Sequence, residues 1–124
     1  MAIKNSRKLP KIYIKEWNIT VNKNSTIFEN INTAISACAQ AWAYFILLEE
    51  AKAMSIVIDI IDLLDRVIKD SSDIELLQNY NLEIIKLLPT LLTALENKNG
   101  IFIADTLEYE LKLILENMNK VYFN

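Results

Sequence analysis

Residues 101–115 read IFIADTLEYELKLIL, and their spacing decides the fold class. Ala104, Leu107, Leu111, then Ile114 or Leu115, and Met118 recur at steps of three and four, which stacks them along one side of an α-helix. Asp105, Glu108 and Lys112 fall on another side, with Glu108 four residues before Lys112, the favourable order for a helical ion pair. Asn99-Gly100 precedes the stretch as a turn signal, because glycine takes the positive φ that ends one helix before the next begins. A helix this apolar needs partner helices to cover it.

The chain upstream supplies them. A helix is expected over residues 73–97, opened by the capping box Ser72-Asp73-Ile74-Glu75, with Ile85, Leu88, Leu92 and Leu95 as its seam and a kink at Pro89. Asn79-Tyr80-Asn81 is a candidate early break that would leave a separate turn before it. Residues 51–70 carry Met54, Val57, Ile61, Leu64 and Ile68 on one line, with Ile56, Ile60, Leu63 and Val67 beside it, an arc wide enough for two neighbours. Residues 25–48 form the first helix, capped by Ser25, with Ile27, Ile31, Ala34 or Ile35, Cys38, Ala41 or Trp42, Phe45 and Leu48 on its seam. No Gly or Pro interrupts Ser25 to Asp70, so one helix of roughly 68 Å is conceivable. Continuing the first seam, however, leads onto Lys52, Ser55, Asp59, Asp62, Arg66 and Lys69, the most polar stripe of the next segment. A reversal near Glu49–Lys52 resolves that conflict.

Residues 11–22 alternate Tyr13, Trp17, Ile19 and Val21, interrupted by Lys15, and are expected to be extended; residues 1–10 are expected to be a disordered basic arm. The C-terminal VYFN either docks its two aromatics or frays. The whole is expected to be a single all-α domain over residues 1–124, an up-down antiparallel four-helix bundle with a short extended N-terminal segment, its last helix over residues 101–119.

Composition narrows the chemistry. The chain has 124 residues, 52% of them hydrophobic, with one Gly and two Pro, too little turn chemistry for a many-stranded sheet. It has no histidine, which removes Ser-His-Asp and Cys-His catalysis, His-ligated zinc and the Glu-x-x-His sites of di-iron bundles. Cys38 is the lone cysteine, in an alanine-rich apolar stretch, and is expected to be a buried inert thiol. Net charge is −3, but Lys4, Arg7, Lys8, Lys11 and Lys15 all precede the first acid, Glu16, so the rest of the chain carries 8 basic and 16 acidic residues. That acidic body disfavours nucleic acid. Residues 30–48 are uncharged over 19 positions, yet Asn32, Thr33, Ser36 and Gln40 favour a buried bundle helix over a membrane span. No secretory signal is visible, and a cytoplasmic protein without cofactor is expected.

Glu96-Asn97-Lys98-Asn99, Ile101, Ile103, residues 104–110 (ADTLEYE) and Ile114-Leu115-Glu116 resemble a family of small all-helical proteins of clostridia and related Gram-positive bacteria. The C-terminal segment of that family reads approximately ENxDYxLIxDLLEYEIxPILE. The likeness covers residues 95–116 and extends more loosely to residues 43–57. There Glu50-Ala51-Lys52 stands where the family has EGK at its first helix reversal. This chain departs from the pattern in having Asn99-Gly100 for Asp-Tyr and Leu113 near the family's Pro. The resemblance implies a helical fold with a reversal near residue 50, and no activity.

Two functional classes follow. One is a non-enzymatic interaction module, a homodimer that binds another protein or helix through an apolar and aromatic surface, with Trp17, Trp42, Tyr44, Asp105, Glu108 and Tyr109 as its contact residues. The other is a small metal-dependent nucleotide hydrolase. It would place the i, i+3 pairs Asp59 with Asp62 and Asp105 with Glu108 on facing helices around hydrated Mg²⁺. The Glu-x-x-Glu and Glu-x-x-Asp motifs of such enzymes are not intact here, and Asp59 and Asp62 share their stripe with Lys52, Arg66 and Lys69. A solvated, ion-paired face is the simpler expectation for them.

Overall fold

The computed structural model describes residues 11–123, with side chains from residue 23 onward. It is all-α, with four helical rods and no strand among the described residues. α1 spans Lys11–Ile46, α2 spans Glu50–Asp70, and α3 spans Gln78–Glu96 after a single 3-10 turn, Glu75–Leu77. The fourth rod, α4, begins as α-helix over Gly100–Thr106 and widens to a π-helical turn over Leu107–Leu111. It resumes over Lys112–Met118 and ends in a second π turn, Asn119–Phe123. The basic arm at residues 1–10 lies outside the described residues.

The extended segment expected at residues 11–22 is helix instead. Tyr13, Trp17 and Val21 are four residues apart, a spacing that serves a helix as well as a strand. With no Gly or Pro between residues 11 and 46, lengthening a nucleated helix costs less than starting one, and the β-branched penalty is only tenths of a kcal/mol per residue, at most about 0.7. For the same reason Ser25 caps nothing, since α1 runs through it.

Two tight reversals join the rods, and both are built without glycine at the critical position. After α1, Leu48 takes a left-handed φ of 61°. Its N–H donates to the Phe45 carbonyl at 3.1 Å and the Glu49 N–H to the Tyr44 carbonyl at 2.9 Å, the paired bonds of a Schellman cap. After α3, Lys98 does the same with φ 53°, its N–H on Leu95 at 3.1 Å and the Asn99 N–H on Ala94 at 2.9 Å. Gly100 therefore does not make the turn expected of it. It is the first residue of α4, where a Cβ would stand 3.2 Å from Phe45 Cδ1 and 3.4 Å from Glu50 Oε1. Glycine leaves room there for close approach to Phe45, and the two reversals lie side by side at one end of the molecule.

The core follows the sequence at α1, where Ile27, Ile31, Ala34, Cys38, Ala41 and Phe45 are buried in one line. Leu48, expected to finish that line, is instead 84% exposed in the turn. The small residues of this seam let α2 and α4 both pack closely on α1. In α2 the line Ala53, Val57, Ile60, Leu64 and Val67 is buried between the two expected lines, and Lys52, Ser55, Asp59, Asp62, Arg66 and Lys69 are all exposed. α4 buries Ile103, Ala104, Leu107, Leu111, Leu115 and Met118. α3 packs on α4 and only lightly on α2.

The α2–α3 link is held by polar groups. The Ser71 hydroxyl donates to the Val67 carbonyl, the buried Asn81 amino group donates to Ser71 Oγ at 2.9 Å, and the Gln78 amide donates to the Ser71 and Ile74 carbonyls, each at 2.8 Å. No side-chain cap forms at the 3-10 turn, so the expected Ser72–Glu75 box is replaced by Gln78. The separate turn expected before Asn79-Tyr80-Asn81 is present as Glu75–Leu77, but the helix begins at Gln78, so Asn81 lies inside α3. Lys23 Nζ on α1 donates to Asp73 at 2.7 Å, and that hydrogen bond holds the exposed Asp73 carboxyl below its ordinary range. The C-terminal aromatics dock, with Phe123 against Phe28 at 5.3 Å between ring centres and Tyr122 edge-on to Phe123 at 4.8 Å.

Candidate functional site

Of the residues singled out for contact, Trp42 and Tyr44 are half-buried against the core. The Lys52 ammonium lies 5.6 Å from the centre of the Tyr44 ring, so that aromatic already has a partner within the chain. Trp17 falls in the part of α1 whose side chains lie outside the described residues. Asp105, Glu108 and Tyr109 are on α4, the first exposed and the last two-thirds exposed. Glu108 is half-buried and accepts from Lys112 Nζ at 3.5 Å. The Glu108-Tyr109-Glu110 motif coincides with the π turn, whose extra residue per turn shifts the helix face. Leu107, Leu111 and Leu115 stay inward at steps of four, while Phe102, Tyr109 and Leu113 are left on the outside. An open groove there is lined by Phe102, Asp105, Thr106, Tyr109 and Glu110.

The four acids of the hydrolase alternative are not brought together. Asp59 and Asp62 are on α2, which packs on α1 and lightly on α3, whereas Asp105 and Glu108 are on α4. Asp62 accepts from Arg66 at 2.9 Å, and Glu108 is engaged by Lys112. Among the described residues no three His, Cys, Asp or Glu side chains are placed to hold a metal ion. Cys38 is fully buried, and burial pushes its thiol up to about 12, against the pull of Lys112 and with a smaller push from Glu108. Lys112 is a cation near the thiol in space that is remote in sequence, but desolvation outweighs it.

The surface missed from the sequence is on α3. Of its expected seam, Leu88 and Leu95 are half-buried against the core, but the fully buried apolar positions are Ile84 and Leu91, with Ala94 nearly so. Ile85 and Leu92 are about half exposed, and so is Leu82. The register slipped because residues 84–95, IIKLLPTLLTAL, carry one charge, Lys86, and apolar residues on every side give periodicity nothing to choose between. That near-absence of charge was itself the usable signal. Open grooves flank α3 on both sides, one lined by Glu50, Ala51, Met54, Ile58, Leu95 and Lys98, the other by Pro89, Thr90, Thr93, Ala94, Asn97, Asn99 and Phe102. A further apolar cluster caps the end with the reversals, where Ile46, Leu47, Leu48 and Ile101 are all exposed.

No protein-family model, curated protein or solved structure matches the chain. Among the described residues no helix is long and apolar enough to cross a membrane.

Proposed function

We propose that the chain is a non-enzymatic interaction module. In this proposal it is an up-down antiparallel four-helix bundle that forms a homodimer and binds another protein or helix through its apolar surface. The observation that carries this is the exposure of large apolar side chains at helical spacing on two outward faces, Leu82, Ile85 and Leu92 on α3 and Phe102, Tyr109 and Leu113 on α4. Three-residue reversals between α1 and α2 and between α3 and α4, with α1 packed on α2 and α4, support the up-down topology. The acidic body supports a partner other than nucleic acid, and a lone thiol fits the reducing cytoplasm. Kinship with the clostridial helical family belongs to the same proposal.

The test is light scattering over a concentration series, followed by capture of partners from the native host with wild type and Tyr109→Ala as baits. A mass rising from 14.3 kDa toward twice that value supports the dimer. Partners captured by wild type and lost with Tyr109→Ala support the second binding role. A bait that recovers only itself removes that role.

A further inference from the structure

Building on the interaction-module proposal, we infer that the outward face of α3 is the self-association surface. Two copies pack there antiparallel about a two-fold axis, with Leu82 of one on the partner's Leu92 and Ile85 on the partner's Pro89. A helix that is apolar all round is normally covered all round. α3 has Ile84, Leu91 and Ala94 inside, while Ile85, Pro89 and Leu92 face outward, flanked by the uncharged Thr90 and Thr93 and by one exposed cation, Lys86.

Charge selects a second copy as the occupant. From Glu16 onward the chain has twice as many acids as bases, so contact between two copies is disfavoured where acid-bearing faces meet. α3 has no acid between Glu83 and Glu96, which makes this face one on which an identical acidic body can settle. The spacing adds self-complementarity. Leu82, Ile85, Pro89 and Leu92 are separated by three, four and three residues, a series that reads the same in both directions. Reversing the helix direction therefore superposes the stripe on itself, which is what an isologous interface requires. The grooves on either side of α3 give the partner's ridge a place to lie.

The area reaches the range of stable dimers when the whole length of α3 takes part. α3 has 19 residues, a length of roughly 28 Å at 1.5 Å per residue. A footprint two helix diameters wide, about 20 Å, covers on the order of 600 Å² per copy. The pair then buries about 1,200 Å², the lower edge of what stable dimers use.

The test is sedimentation velocity on the full chain, with helicity by circular dichroism as the check on folding. Leu82→Glu and Leu92→Lys, made singly, each set a charge against a leucine at both symmetry-related contacts and are expected to leave the chain monomeric and helical. Combined in one chain, they oppose a carboxylate and an ammonium at both contacts and are expected to restore the doubled mass. Restoration excludes misfolding as the cause of the single-variant loss. A wild-type dimer that survives either single variant, or a folded double variant that stays monomeric, overturns the α3 assignment while the module proposal stands. A wild type that is monomeric at every concentration overturns self-association itself, and leaves only binding to other proteins.

Discussion

Replacing Leu48 by glycine stabilises the fold, although it deletes a large aliphatic side chain. Leu48 holds φ at 61°, where the Cβ of an L residue crowds the carbonyl that follows, at about 1–2 kcal/mol relative to glycine. The side chain is 84% exposed, so its removal forfeits only about 0.3 kcal/mol of burial. Greater freedom of glycine in the unfolded chain takes back about 0.5–1 kcal/mol. The balance is roughly 0.5 kcal/mol in favour of Leu48→Gly. Lys98, exposed and at φ 53°, gives a similar gain in the second reversal. Each strain is local to one residue's φ, but the two reversals lie side by side, so the double variant gains at most about 1 kcal/mol, on the order of 3–6 °C in Tm for a chain of this size. Urea titration measures it, and Leu48→Ala is the control because it removes the side chain while keeping the strained φ. If Leu48→Gly proves less stable than Leu48→Ala, the left-handed cap is not what terminates α1 and the reasoning fails.

Gly100→Ala is expected to act in the opposite sense, since its Cβ would stand 3.2 and 3.3 Å from two ring atoms of buried Phe45. Overpacking of about 1–3 kcal/mol outweighs a helix-propensity gain of at most about 1, and thermal melting should show the loss. Ser71→Ala removes the acceptor of the Asn81 amino group, whose own carbonyl oxygen is already buried without a partner. The expected cost is about 1–3 kcal/mol, seen as a lower urea midpoint at unchanged m. Cys38 should resist thiol reagents in the native state and label fully in denaturant. Because its folded value lies near 12 against an ordinary 9.0, the native state keeps a proton that the unfolded state loses as pH rises above 9. Stability should therefore fall between about pH 9 and 12, by up to about 1.4 kcal/mol per pH unit, and Cys38→Ala should remove that part of the slope.

How far the sequence could be read depended on how sharply each helix separates its faces. In α1 the buried seam is narrow and lined by small residues, so Ile27 through Phe45 could be placed residue by residue. The same contrast located the first reversal. The α1 seam could not continue onto Lys52, Asp59 and Arg66, and the chain turns at Leu48 although no breaker residue marks the place. Residues 11–22 failed because their apolar spacing fits both periods, and the deciding fact was helix continuity from the neighbouring segment. Gly100 misled in another way. Asn99-Gly100 reads as a turn signal, whereas the constraint on Gly100 comes from Phe45, which is remote in sequence. At the candidate site, the exposed α4 stripe around Tyr109 could be anticipated from the motif, but the π turn that aims it could not.

The failure at α3 and the proposed surface have one cause. A helix packed on neighbours along one arc shows its register through the polar residues on the other side, and α3 has almost none between Glu83 and Glu96. α2 also has a wide apolar arc, but there most of the excess is used, since Met54, Ile61 and Ile68 on one flank and Ile56 and Leu63 on the other are half-buried against the core, and Ile58 is the one large apolar side chain of that helix left exposed. In α3 the excess remains in contact with water at Leu82, Ile85 and Leu92. Removing each such side chain from water is worth on the order of 1 kcal/mol when half of it is exposed, a gain that folding of the lone chain leaves unrealised. A seam that periodicity places one residue off is thus the one-dimensional trace of a helix with two apolar faces, the second of which is the surface proposed above for self-association.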